Sequence, residues 1–192
     1  RDSSTSRGLG DVYKRQTVHL GGNIGTPLFC RVPDIRPDDI VVLELSSFQL
    51  HSMMCAPDIE IVTNISPNHL DVHPNLEDYV SAKQNIYLHQ RPDAVLVLNA
   101  KDAHTPAFAA GAPGKVRLFS SIGPVENGVF LQDGVICRAH DGAVEKIMDA
   151  AGIRIPGAHN VENYMAAFAA LDGMIARDDC VSVAKTFPGV PH

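Results

Sequence analysis

No apolar run in this chain approaches the roughly 20 residues needed to cross a bilayer, and the amino terminus lacks the charged-then-apolar pattern of an export signal. Positive charge is also scarce: 16 Lys and Arg against 22 Asp and Glu leave a formal net charge of -6. Neither nucleic acid nor an anionic lipid surface is attracted without a basic face, so both are excluded as expected partners. The four cysteines, Cys30, Cys55, Cys137 and Cys180, are scattered. They form no CxxC pair and no ligand-like Cys/His spacing, which fits reduced thiols and a cytoplasmic setting. Internal repeats and low-complexity segments are missing too. What remains is ordinary globular composition, 45% hydrophobic and 20% charged over 192 residues, with room for one domain and its core.

The first 16 residues, polar and without period two or period 3.6, read as a non-native, disordered scar, so that the domain is expected over 17–192. From there β-rich runs at Thr17 to Leu20, Ile40 to Leu45, Ile59 to Asn64, Ala94 to Leu98 and Val116 to Phe119 alternate with helical stretches. Such alternation predicts an α/β fold, a mostly parallel sheet flanked by helices. Ile40-Val41-Val42-Leu43 is apolar at consecutive positions, as expected of a central strand covered on both faces. Between Gly123 and Ala143 two further strands, Gly128 to Leu131 and Val135 to Arg138, flank Gln132-Asp133-Gly134 and predict a small antiparallel hairpin. A long amphipathic helix is expected from Asn160 to Ala176.

Ligands of open α/β sheets sit beyond the carboxyl ends of the strands. There stand Gly21-Gly22-Asn23-Ile24-Gly25, then Glu44 with Ser46-Ser47, then Asn64 through Asp71 with His69. Glu44 ends an apolar strand, where an unpaired buried charge is costly and a cation relieves the cost. Magnesium, which takes oxygen ligands, suits a single carboxylate with phosphates. Asn75 can cap a following helix whose apolar stripe is Leu76, Tyr79, Val80, Ile86 and Tyr87. Lys83 lies on that stripe. It either snorkels to solvent or is held desolvated, in which case a neutral amine becomes accessible as a nucleophile or as an acceptor of carbon dioxide. Tyr79 and Tyr87 read as core.

Taken in order, Glu44-Leu45-Ser46-Ser47-Phe48-Gln49-Leu50, Asn64-Ile65-Ser66-Pro67-Asn68-His69-Leu70-Asp71, Ala82-Lys83, Gly157-Ala158-His159-Asn160-Val161-Glu162-Asn163 and the closing Phe187-Pro188-Gly189-Val190-Pro191-His192 resemble the central domain of the Mur ligases. The first string, with Gly22-Asn23-Ile24-Gly25, is similar to the D-glutamate-adding branch. The resemblance implies a P-loop-NTPase-like fold and a cytoplasmic ATP-dependent ligase whose substrates are UDP-N-acetylmuramoyl-L-alanine and D-glutamate. It implies that Glu44 holds magnesium beside ATP, and that His69 and a carbamylated Lys83 support a second magnesium. Asn23, Ser46 and Gln49 are then expected to contact the UDP-sugar, and Asn160, Asn163 and His192 the nucleotide.

The sequence departs from that pattern at one point. The family's Gly-x-x-Gly-Lys-Ser/Thr loop, whose amides and lysine cradle phosphate, has no counterpart before Gly22, since Gly8-Leu9-Gly10 is not followed by Lys-Ser/Thr. The first strand and phosphate loop are therefore expected to be missing, and the chain alone to be inactive. Alternatives are another Mur-type or folate polyglutamylating ligase, and a non-catalytic nucleotide- or UDP-sugar-binding module. A dinucleotide-binding domain is disfavoured because Gly21 to Gly25 lacks GxGxxG spacing.

Overall fold

The computed structural model describes residues 17–23, 27–66 and 73–189. The suspected scar, Ile24 and Gly25, residues 67–72 with His69, and His192 lie outside the described residues. The chain divides into two compact units, with the boundary after Ser52.

In the first unit β1 (Val18–Gly22) pairs in parallel with β2 (Ile40–Glu44), joined through a 3-10 segment over Leu28–Asp34. The helix α1 (Ser47–His51) follows directly. Expectation and structure differ at β2. It pairs with β1 alone among the described residues, and Val41, Val42 and Leu43 are 43–46% exposed rather than covered on both faces. An apolar run reports a capacity for burial on two faces, but coverage depends on what packs against it.

The second unit is built on a six-stranded sheet in the order β3 (Ile59–Val62), β4 (Val95–Asn99), β5 (Lys115–Ser120), β6 (Gly128–Gln132), β7 (Val135–His140) and β8 (Ala143–Asp149). The pairs β3–β4, β4–β5 and β5–β6 are parallel, whereas β6–β7 and β7–β8 are antiparallel. The expected hairpin is present. Asp133 and Gly134, at φ 50° and 77°, form the two-residue turn in which both central residues need positive φ. Asp141-Gly142 repeats it with the same angles and leads into β8, which the sequence reading had not anticipated.

Period-two alternation explains how β4 is buried on both faces. Val97 joins a cluster with Phe119, Val129, Ile136 and Met148, roofed by Met165, Ala166, Phe168 and Ala169 of α4 (Ala158–Leu171) and by Ala184 of α5 (Arg177–Thr186). Leu96 and Leu98 face the other way, into a cluster with Val62, Tyr87 and Phe108. Phe108 comes from α3 (Thr105–Gly111), while Tyr87 follows α2 (Leu76–Gln84). Helices therefore flank the parallel part of the sheet on two sides, and Tyr79 and Tyr87 are core, as expected. The expected helix over 160–176 is α4, displaced towards the amino terminus. Arg117 of β5 donates to the carbonyls of Ala169 and Asp172, satisfying groups that the end of α4 leaves open.

Candidate functional site

In the first unit, the carboxyl ends of β1 and β2 are brought close by a glycine. Gly22 has φ 103°, and a Cβ there would stand 2.2 Å from the Glu44 carbonyl oxygen. Only glycine fits this approach. The Asn23 amide then donates to that same carbonyl at 2.7 Å, placing Asn23 beside Glu44 at the strand ends. The Glu44 side chain is exposed, so the expected cost of a buried, unpaired carboxylate does not arise. Its burial was inferred from a covered β2, which the first unit does not supply.

Ser46 and Gln49 meet each other. The Ser46 hydroxyl accepts from the Gln49 amide at 3.3 Å, while the Gln49 side-chain oxygen accepts from the Ser46 amide at 2.9 Å and the Ser46 hydroxyl at 3.0 Å. This reciprocal cap satisfies two open donors of α1, and it fixes both side chains just past the end of β2.

In the second unit Lys83 lies near the end of α2, half-buried, with its Nζ 5.2 Å from the centre of the Tyr79 ring. Burial pushes the Lys83 amine below the usual lysine range, while the nearby charge of Asp102 acts in the opposite direction. Of the two readings left open by spacing, the structure favours a held lysine over one reaching into water. Tyr79 also meets His73, edge to face at 5.3 Å, and His73 Nδ1 lies 2.6 Å from Asp78 in the first turn of α2. Asn75 caps that turn by accepting from the Asp78 amide at 2.8 Å. Among the described residues no three His, Cys, Asp or Glu side chains are grouped as a metal site.

The carboxyl ends of β3, β4 and β5 form a connected polar rim. Asn99, the last residue of β4, donates to the Thr63 carbonyl at 3.1 Å. Asp102 accepts from the Ile65 amide beyond β3 and from the His104 amide at 2.9 Å. Glu162 of α4 reaches this rim, accepting from Lys101 and, at 2.7 Å, from Ser121 just past β5. Asn160 and Asn163 share one stripe of α4, three residues apart. The cap position of α4 is Gly157, and Asn160 donates back to the Pro156 carbonyl at 2.7 Å while Asn163 is exposed. Lys101, Asp102, Ser121 and Glu162 were not singled out from the sequence. Applying the strand-end rule after Leu98 and Phe119 would have found the first three.

Set beside known proteins, residues 7–171 match the model of the Mur ligase middle domain. The chain belongs to the Mur ligase family. Among its relatives, UDP-N-acetylmuramoylalanine--D-glutamate ligase of Acetivibrio thermocellus is 49% identical over 174 residues, covering 90% of this chain and 37% of the relative. The enzyme of the same name from Clostridium kluyveri is 44% identical over 192 residues, covering 99% of this chain and 41% of the relative. The chain thus spans about two fifths of the curated relatives it matches. Solved Mur ligases share its fold: UDP-N-acetylmuramoyl-L-alanyl-D-glutamate--2,6-diaminopimelate ligase superposes with a TM-score of 0.71 at 19% identity, over 97% of this chain and 44% of that one. MurF of Thermotoga maritima in complex with ADP gives 0.60 at 18% identity, over 98% and 47%.

Proposed function

We propose that this chain is the middle part of an ATP-dependent ligase that joins D-glutamate to UDP-N-acetylmuramoyl-L-alanine in peptidoglycan synthesis. The observation that carries the reading is the 49% identity to a relative of that name across a stretch that includes Glu44 to Leu50 and Lys83. Free cysteines among the described residues and the lack there of any helix long and apolar enough to span a membrane support a cytoplasmic setting. ATP's terminal phosphoryl group passes to a carboxylate oxygen of the UDP-sugar-alanine, giving ADP and an acyl phosphate. The amine of D-glutamate then attacks the acyl carbon, phosphate leaves, and loss of a proton from nitrogen completes the amide.

The family resemblance assigns each of these residues a role. Asn23, Ser46 and Gln49, ordered at the ends of β1 and β2, bind the UDP-sugar-alanine. Asn160, Asn163 and His192 face the nucleotide. Glu44 offers an exposed oxygen donor, the chemistry that magnesium takes, for the ion beside ATP, and His69 with a carbamylated Lys83 would hold a second magnesium. An ammonium offers magnesium nothing, and burial shifts the Lys83 amine in the direction of the neutral form that adds carbon dioxide. Magnesium, when bound, neutralises charge on phosphate and carboxylate oxygens. Positioning of those oxygens falls to the protein side chains.

The test uses the full-length protein that contains this chain, measuring phosphate release with ATP, UDP-N-acetylmuramoyl-L-alanine and D-glutamate. Release is expected only with all three present. Lys83→Ala should lower it at least about a hundredfold, the scale of losing one electrostatic group at a transition state, with partial recovery on adding a short carboxylic acid. Release supported by another amino acid and not by D-glutamate overturns the acceptor. A wild-type rate in Lys83→Ala removes the carbamate.

A further inference from the structure

We infer that Glu162 is a positioning residue for the nucleotide: its carboxylate clamps the first turns of α4, which carry Asn160 and Asn163, to the carboxyl ends of β4 and β5. The inference rests on the reading of Asn160 and Asn163 as nucleotide-facing, and it adds a residue to which neither composition nor motif assigned a role.

The packing of α4 shows why such a clamp is needed. The fully buried residues of this helix begin at Met165 and continue through Ala166, Phe168, Ala169 and Ala170. Its first two turns precede that anchored portion and have only the partly buried Val161 and Tyr164 against the core. No side chain caps the helix, since the cap position is Gly157, and the Asn160 tie runs back to Pro156 on its own approach. Glu162 supplies the attachment to the sheet. Lys101 and Ser121 both donate to its Oε1, Ser121 at 2.7 Å, and each follows a different strand. Asn99, the last residue of β4, acts in the same direction, favouring the charged form of this carboxylate.

Burial alone would raise the Glu162 carboxyl, but the bonds from Lys101 and Ser121 outweigh it and hold the group below the usual carboxylate range. It is therefore a charged acceptor at neutral pH, with bonds of the stronger, charge-assisted kind. Successive helical residues are turned by about 100°, so Glu162 flanks the stripe formed by Asn160 and Asn163. Fixing Glu162 fixes the rotation of the helix about its axis, and with it the direction of that stripe. Release of the clamp leaves the core intact and lets the two amides drift.

The experiment is steady-state kinetics of the full-length protein bearing Glu162→Gln, which preserves shape and removes the charge. The Michaelis constant for ATP should rise about tenfold, the worth of one charge-assisted bond. The turnover number and the Michaelis constants for the UDP-sugar-alanine and D-glutamate should stay within about twofold, well under that change. Ser121→Ala should shift the ATP constant in the same direction by less, and it reads the clamp even if Glu162→Gln fails to fold. The charge exchange Lys101→Glu with Glu162→Lys should restore the ATP constant, which a merely structural role does not predict. An unchanged ATP constant in both single variants overturns the inference, as does a parallel loss in all the constants. If the wild-type protein consumes no ATP, the functional reading falls and takes this inference with it. If it consumes ATP and only the variants are silent, the inference falls alone.

Discussion

The two units of this chain solve the same problem, keeping parallel strands together, with different means. Residues 53–189 bury two apolar clusters, one on each side of β4. Among the described residues of the first unit the only buried apolar side chain is Leu50, at 3% exposure. That unit is held instead by polar ties. His19 and Asp39, almost fully buried, meet at 3.0 Å. Asp39 also accepts from the amides of Thr17 and Arg36, and bonds from Arg36 and His19 keep its carboxyl below the usual range. The Ser46–Gln49 cap adds a third tie. Polar ties set geometry and contribute little net free energy, whereas apolar burial scales with area. The second unit should therefore carry most of the stability, and the first should hold Asn23, Ser46 and Gln49 in a particular arrangement at a lower local stability.

Phe108→Ala should break this contrast most severely. Phe108 is fully buried in the cluster with Tyr87, Leu96 and Leu98, and loss of such a ring costs about 3–5 kcal/mol. Urea unfolding should show the sheet of the second unit losing stability on that scale; a loss under about 1 kcal/mol, well below that range, would show that the apolar cluster is not its support.

A smaller effect, on the order of 2 kcal/mol, is expected at a buried carboxyl inside the apolar unit. Glu60 of β3 is 1% exposed, accepts from the Gln90 side chain, and has its other oxygen without a partner. Burial pushes its carboxyl up to about 7, against the Gln90 bond; Asp58 adds to the rise, and Arg91 lowers it. Cys55 is the further titratable neighbour, its thiol raised by burial and by Glu60. The folded chain keeps the Glu60 proton to about pH 7, whereas the unfolded chain releases it near 4.5. This contribution is therefore complete below 4.5 and is lost as pH rises through 7. Melting temperatures measured from pH 5 to 8 should fall more for the wild type than for Glu60→Gln, whose curve should be flatter. Identical slopes would contradict a buried neutral acid.

The smallest expected change sharpens the comparison from the other side. Ser46→Ala removes one half of the reciprocal cap and should cost about 1 kcal/mol. Hydrogen exchange should locate the loss at the amides of α1, leaving β4 to β7 protected as before. If β4 to β7 lose protection equally, the two units do not open independently.

What the sequence disclosed divides along the same physical lines. Strands with one local signature were legible: the apolar run at Val95 to Leu98, and the Asp133-Gly134 turn that places β6 against β7. Asp141-Gly142 carried the same signature and predicts β8, but Val144-Glu145-Lys146 shows no clean alternation because most of β8 is exposed. Lys83 was legible as an anomaly on an apolar stripe, although only packing against Tyr79 decides between a held and a reaching lysine. The exposure of Glu44 was not legible, since it depends on what covers β2 and not on β2 itself. Nor was Glu162, whose donors lie about 40 and 60 residues away in sequence and meet it only through the sheet.

The late strand β8 also bears on whether this edge of the sheet can pair with another chain. It is one of the two outer strands of the six-stranded sheet among the described residues, the other being β3, and an open outer strand is a template on which another chain can extend the ladder. Here that strand carries Glu145, Lys146 and Asp149. Arg177 is tied to Glu145, and Lys146 to Asp149 at 2.8 Å. The β7–β8 register also slips between Ile136 and Cys137, a bulge that adds local twist. A charged and twisted border of this kind discourages strand-by-strand growth at the β8 edge.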